Sequence, residues 1–206
     1  MTTPAAELLA LGAATVYEAS RLDCALPSTL RPAWPGAAIA GPALPVRTAP
    51  ADNLPLHLAL EAASAGEVLV VDGCGAACGY WGEILTVAAQ QRGITGLVID
   101  GGVRDTDRLA ELAFPVFSTT IAIPGTVKND PGTIASPITI GTVTVARGDI
   151  IVADSDGVVV VPQAKLTEVL AASHRRHDAE LAYLTRIRAG EQTADIYNLR
   201  TPIKQG

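Results

Sequence analysis

Residues 66–119 read GEVLVVDGCGAACGYWGEILTVAAQQRGITGLVIDGGVRDTDRLAELAFPVFST. Three short apolar runs, 68–71, 97–99 and 116–119, are rich in β-branched side chains and predict buried strands. Between them, 82–92 and 106–113 carry helical patterns, and Gly93 stops the first helix. Residues 74–80 form a Gly-rich loop, and Gly101–Gly102 is expected to turn the chain after the second strand. A strand–helix–strand–helix–strand run predicts parallel pairing with crossover helices.

Outward from this unit, 54–65 predicts a helix ended by Gly66. Residues 37–46 predict a first strand, interrupted by Pro42 and Pro45. Farther upstream come a Pro-rich stretch, 27–35, and a helical segment, 8–20, broken near Gly12. Downstream, 138–140, 143–145, 150–153 and 158–161 are short β-rich runs separated by Gly turns, suggesting an antiparallel or barrel-like layer. Residues 163–188 read as one long helix with an apolar stripe of Leu166, Val169, Leu170, Leu181, Leu184 and Ile187. So long a helix on so small a domain suggests packing against a neighbouring subunit. The expected organisation is one domain over 1–206, with a core of about 10–162 and a helical arm of about 163–206.

Of the 206 residues 49% are apolar and 17% charged, which argues against disorder. A positive mean hydropathy raises a membrane question. The greasiest runs fall far short of the roughly 20 apolar residues of a spanning helix. Glu7 interrupts the first ten residues, which carry no basic region, so no secretory signal is expected. A net charge of −6 without a basic run argues against sequence-independent nucleic-acid binding. Cys24, Cys74 and Cys78 are an odd set and point to reduced thiols in the cytoplasm. The C-x3-C spacing of Cys74 and Cys78 lacks the second pair of a zinc site, and buried or loop thiols are the expectation.

Chemistry concentrates after the predicted strands. In Asp100-Gly101-Gly102-Val103-Arg104-Asp105, Arg104 offers a fork of donors for an oxyanion and Asp105 offers hard oxygen for Mg2+ or Mn2+. Asp105 could equally N-cap the following helix. The loop from Gly73 to Gly82 also opens a helix, whose free N–H groups near Ile84 and Leu85 make a cradle for a carboxylate or phosphate. Glu83 places a second acid there, or is simply a favourable helix-dipole charge. The loop lacks G-x-G-x-x-G and G-K-[ST]. No lysine sits in either loop, which disfavours a Schiff base, although Lys128 is nearby in sequence. His57, His174 and His177 are scattered and suit helical or surface roles. Asp154-Ser155-Asp156-Gly157 suits a β-turn better than a calcium loop. Tyr80 and Trp81 either wall a pocket or pack beneath the loop.

Glu83, twenty residues, then Arg104-Asp105 resembles the D/E-x20-R-D pattern of the class II pyruvate aldolases. These are the 4-hydroxy-4-methyl-2-oxoglutarate / 4-carboxy-4-hydroxy-2-oxoadipate aldolases, in one superfamily with the regulator of ribonuclease activity A proteins. Surrounding words resemble that superfamily too: Thr15-Val16-Tyr17-Glu18-Ala19, Gly66-Glu67-Val68-Leu69-Val70-Val71, Phe114-Pro115-Val116-Phe117, Gly125-Thr126-Val127-Lys128 and Gly148-Asp149-Ile150-Ile151-Val152. The similarity spans about residues 10–198.

The resemblance implies an α-β-β-α sandwich of the swivelling phosphohistidine-domain type, assembled as trimers or hexamers. It implies Asp105 as metal ligand, with waters completing the Mg2+ or Mn2+ shell. Arg104 would hold the pyruvate carbonyl and steady the enolate. Glu83 would stand behind the direct metal ligand or hold metal-bound water, and the amides near Gly82, Ile84 and Leu85 would receive the pyruvate carboxylate. Glu18 and Glu180 match acids lent by the adjacent subunit. The implied reaction is retro-aldol cleavage of a 4-hydroxy-2-oxo acid to pyruvate, with oxaloacetate decarboxylation through the same enolate. The 74–80 loop is expected to contact the C4 substituent. No motif accounts for S-adenosylmethionine binding. The alternative within the superfamily is a non-catalytic protein that binds and inhibits a ribonuclease.

Overall fold

The computed structural model describes residues 2–200. Met1 and the last six residues of the expected arm, 201–206, lie outside the described residues. In chain order the elements are α1 (Pro4–Leu11), α2 (Ala13–Ser20), β1 (Arg31–Pro32), β2 (Ile39–Arg47), α3 (Leu54–Ala62), β3 (Val68–Asp72), α4 (Glu83–Gln91), β4 (Gly96–Val103), α5 (Thr106–Glu111), β5 (Val116–Ile121), β6 (Thr133–Ile134), β7 (Ile138–Ile140), β8 (Val143–Val145), β9 (Ile150–Asp154), β10 (Gly157–Val161), α6 (Leu166–Arg188) and α7 (Thr193–Ile196). Gln163–Lys165 is a 3-10 turn, so the long helix begins three residues later than expected.

Strands β2, β3, β4 and β5 pair in parallel, with α3, α4 and α5 as their crossovers. The strand order is β1-β5-β4-β3-β2-β9-β10, with β6 also pairing antiparallel with the end of β2. Strand β2 belongs to two ladders: Ile39–Pro42 pairs antiparallel with β9, while Ala43–Arg47 pairs with β3. The two ends of the sheet approach each other. The Arg31 guanidinium donates to the carbonyls of Ser155 and Asp156, and Ala25 bridges Val159. The result is a mixed α/β fold with a nearly closed, barrel-like sheet and a long C-terminal helix.

Alternation along the strands sets the core. Leu69, Val71, Leu97 and Ile99 face α3–α5 and pack on Leu56, Leu60, Leu85 and Leu109. Val68, Val70 and Val98 point the other way, into a cluster with Phe117, Ile151, Val158 and the β7–β8 hairpin. A third cluster joins α1 and α2 to β9, β10 and Val169 of α6. The Gly12 break is as expected: Gly12 takes a φ of 88°, and Asp154 Oδ2 accepts from Ala13 N at 2.8 Å to start α2.

Three expectations are corrected. Pro42 and Pro45 do not interrupt β2. Each lacks its donor where a ladder has a gap, Pro42 just before pairing with β3 begins and Pro45 where the neighbour changes from β9 to β6. Helix α3 ends at Ala62, not at Gly66. Gly101 and Gly102 do not turn the chain; they lie inside β4. The loop before α4 presses on them. A Cβ on Gly101 would stand 3.0 Å from the Tyr80 ring, and one on Gly102 would stand 2.4 Å from the Cys78 carbonyl oxygen.

Candidate active site

The loop between β3 and α4 runs back along β4. Tyr80 N donates to Gly102 O, Gly102 N to Ala76 O, and Arg104 N to Trp81 O, at 2.9–3.0 Å. This lays the start of α4 directly against the end of β4. The loop's weight sits below it: Tyr80 and Trp81 are fully buried, and Trp81 stacks on Phe114 at 6.0 Å. Tyr80 Oη donates to Gly73 O and accepts from Ala51 N, and burial pushes its pKa up to about 12. It is a fixed back wall rather than a proton carrier.

Asp105 does not cap its own helix. Its backbone is left-handed (φ 58°, ψ 35°), outside the extended conformation of a capping residue. The side chain instead reaches α4, where Oδ2 accepts from Glu83 N at 3.1 Å. Gly82 makes room for it, since a Cβ there would lie 2.3 Å from Asp105 Oδ2. Arg104 Nε stands 3.6 Å from the same oxygen, and the Arg104 stem lies against Gly79 and Gly82. The next amides of α4, on Ile84 and Leu85, have no intrahelical acceptor and carry the positive end of the helix dipole. Glu83 turns to α5: its Oε1 accepts from Arg108 Nη2 at 2.8 Å and Nε at 3.1 Å. Arg108 also pairs with Glu111.

Gly79, Gly82, Ile84, Leu85, Arg104 and Asp105 line a cleft of about 300 Å³, whereas the Glu83 side chain, turned to Arg108, does not. The cleft's far wall comes from two segments far apart in the chain: Asn53 and His57 around α3, and Thr126 and Lys128 in the loop after β5. His57, half-buried on α3, and Lys128, exposed, thus both face the cleft. Burial, and then the Lys128 charge, lower the His57 pKa. Asn53 donates to Tyr80 O at 3.1 Å, while its buried Oδ1 has no partner among the described residues. The only forewarning was the Gly125-Thr126-Val127-Lys128 word. From the 74–80 loop only Gly79 and Tyr80 reach the cleft; Cys74 lines a separate hollow beside Arg47 and Thr48.

Other candidates lie elsewhere. Glu18 and Glu180 do not line this cleft. They meet at Arg176, which pairs with both, on the outer face of α2 and α6. All three cysteines are free thiols; Cys24 and Cys78 are buried and Cys74 is an exposed loop thiol. Asp154–Gly157 is the turn of the β9–β10 hairpin. His174 meets Glu7 between α6 and α1.

Among the described residues no three His, Cys, Asp or Glu side chains converge as a metal site. Asp105 is half-exposed, and its Oδ1 accepts no hydrogen bond among them. One carboxylate suits a Mg2+-like ion, which keeps several waters and takes one or two carboxylates. It does not suit a structural zinc, which needs four protein ligands.

A family model described as RraA-like, Aldolase/RraA, matches residues 13–160. The chain belongs to the RraA-like family. This RraA-like protein is 36% identical over 152 residues to a Halalkalibacterium halodurans protein named "putative 4-hydroxy-4-methyl-2-oxoglutarate aldolase", covering 73% of this chain and 72% of that one. Its fold is similar to that of an uncharacterized Pseudomonas syringae protein, with TM-score 0.80 and 28% identity over 92% of this chain and 94% of the other. It is also similar to a Streptomyces coelicolor structure titled an unusual member of the RNase ES inhibitor RraA protein family. That match has TM-score 0.73 and 28% identity, covering 87% of this chain and 92% of the other.

Proposed function

We propose that this RraA-like protein is a divalent-metal-dependent aldolase. It cleaves a 4-hydroxy-2-oxo acid of the 4-hydroxy-4-methyl-2-oxoglutarate kind to pyruvate and a second carbonyl compound, and it decarboxylates oxaloacetate. The carrying observation is the Asp105 carboxylate held against Glu83 N, beside Arg104 and the free amides of α4. Asp105 would hold Mg2+ or Mn2+. When bound, the ion acts as a Lewis acid on the 2-oxo acid.

The chain's own groups do the rest. The Ile84 and Leu85 amides would bind the substrate's C1 carboxylate. Arg104 would grip the C2 carbonyl oxygen and meet the charge that develops there. Glu83, held by Arg108 through one oxygen, would take up the 4-hydroxyl proton through a water. The C3–C4 electron pair then becomes the C2–C3 double bond of pyruvate enolate, and a proton returned to C3 gives pyruvate. Loss of CO2 from oxaloacetate leaves the same enolate. Lys128, the cleft's second cation, would face the substrate's far carboxylate, and Asn53 Oδ1 offers an acceptor to a hydroxyl.

We also propose a homotrimer or hexamer in which Glu18 and Glu180 enter a neighbour's cleft. Leu181, Leu184 and Ile187, partly exposed along α6, support that contact. The free thiols support a cytoplasmic setting. The swivelling-domain sandwich is proposed on the same resemblance. No helix among the described residues is long and apolar enough to cross a membrane.

The test offers 4-hydroxy-4-methyl-2-oxoglutarate and oxaloacetate separately, with Mg2+ or with chelator, and follows pyruvate. Metal-dependent release supports the reading. The second reading, a ribonuclease-binding protein, is favoured by the Streptomyces coelicolor match. It requires salt-sensitive capture of a ribonuclease and no turnover.

A further inference from the structure

A buried charge sits behind the cleft's far wall, and none of the steps above uses it. Asp52 is only 2% exposed. Its Oδ1 accepts from Leu54 N at 2.9 Å, at the start of α3. Its Oδ2 accepts from Asn129 N and Asp130 N, both at 2.8 Å. Beside it, Val127 N donates to Ala51 O and Asn53 N donates to Val127 O, a one-residue parallel bridge. Residues 122–132 have little regular structure of their own, so these bonds set the path of the chain that carries Thr126 and Lys128. The same carboxylate fixes the first turn of α3, which carries Asn53 and, one turn on, His57. Burial pushes the Asp52 pKa up, but the amides of Leu54, Asp130 and Asn129 and the charge of Lys128 outweigh it and bring it down. Asparagine is a poor substitute, because its NH2 group would face N–H donors.

We propose that Asp52 is the positioning residue for the distal half of the cleft: it locks the Thr126–Lys128 segment against Asn53 and His57, and so sets recognition of the substrate beyond its pyruvyl unit. This rests on the aldolase reading above. Although the two halves are linked through the bonds of Ala51 and Asn53 to Tyr80, the pyruvyl half of the site, Arg104, Asp105 and the amides of α4, has no direct bond to Asp52. The two halves are therefore separable in an experiment.

Pyruvate alone reports the near half, since a reversible enolisation exchanges its methyl protons with D2O. The experiment measures that exchange by NMR with Mg2+ present. It also measures KM and kcat for 4-hydroxy-4-methyl-2-oxoglutarate, in wild type, Asp52→Asn and Lys128→Ala. The expected result for Asp52→Asn is a KM raised about tenfold or more, the scale of one lost charged contact, with pyruvate exchange within about twofold of wild type. Lys128→Ala is expected to raise KM as well, and it keeps the test alive should Asp52→Asn fail to fold. An unchanged KM in either variant overturns the proposal, as does an equal loss of exchange and cleavage in Asp52→Asn. A wild type that neither exchanges pyruvate nor cleaves substrate overturns the aldolase reading itself, a different outcome.

Discussion

Gly82→Ala probes the placement of Asp105 without replacing a charged residue. Gly82 has an extended backbone (φ −166°, ψ −161°), so alanine fits the main chain without strain. The added Cβ would lie 2.3 Å from Asp105 Oδ2 and 3.1 Å from its Cγ, with the Arg104 Cγ a milder contact at 3.2 Å. Comfortable carbon–oxygen contact is about 3.3 Å, so the carboxylate must retreat by about 1 Å. It can do so, because it is the end of a half-exposed side chain. The bond from Glu83 N is then lost at a cost of about 1 kcal/mol, offset in part by the lower chain entropy of unfolded alanine, so Tm should move by only a few degrees. Catalysis should suffer far more. A displacement of about 1 Å in a reacting group costs roughly 10²-fold, or about 2.7 kcal/mol in the barrier. The assay is kcat/KM for Mg2+-dependent pyruvate release, coupled to lactate dehydrogenase, beside a thermal melt. A folded Gly82→Ala protein with wild-type kcat/KM would refute the reasoning, because Asp105 would then not need the position that Gly82 allows.

Arg104→Ala should lose most of kcat, since the guanidinium is assigned to charge that develops in the transition state; a change confined to KM, read from saturation curves, would reduce Arg104 to a binding group. His57 has a lowered pKa in the folded protein, so the unfolded chain binds more protons between that value and about 6.5. Stability from this group is present at higher pH and is lost as pH falls through that window. His57→Leu should therefore flatten the pH dependence of Tm below about pH 6.5, and a slope as steep as wild type would contradict the assignment.

Local pattern carried much of this fold. The strands of 66–119 are visible as β-branched runs, and the β7–β10 segments as short β-rich runs separated by Gly turns. The break at Gly12 and the long helix after Pro162 are local as well. What was hidden depends on segments meeting from afar. Gly101 and Gly102 look like a turn because a glycine pair usually is one; their reason is the Cys78–Tyr80 loop pressing from outside. Pro42 and Pro45 look like strand breakers until the two ladders of β2 show where a missing donor is harmless. The near closure of the sheet rests on Arg31 reaching the β9–β10 turn, which no local pattern reports.

In the near half Arg104 and Asp105 follow a strand end, where their chemistry shows in their residue types, whereas Glu83 opens α4 and turns to Arg108 instead of lining the cleft. Even there the geometry differs from a local reading: Asp105 serves the preceding helix, not its own. The far wall was not legible. His57 looked like an ordinary helical histidine and Lys128 like an isolated lysine. They share a wall because the Asp52 carboxylate ties their two segments together, and a buried aspartate has no sequence signature.

The central claim is that Asp105 supplies the metal-dependent chemistry. It is tested most directly by pyruvate release from 4-hydroxy-4-methyl-2-oxoglutarate in wild type and Asp105→Ala, each with Mg2+ and with chelator. The account predicts release by the wild type that chelator abolishes and Mg2+ restores, and none above background from a folded Asp105→Ala protein. Equal metal-dependent release from the two proteins would contradict it.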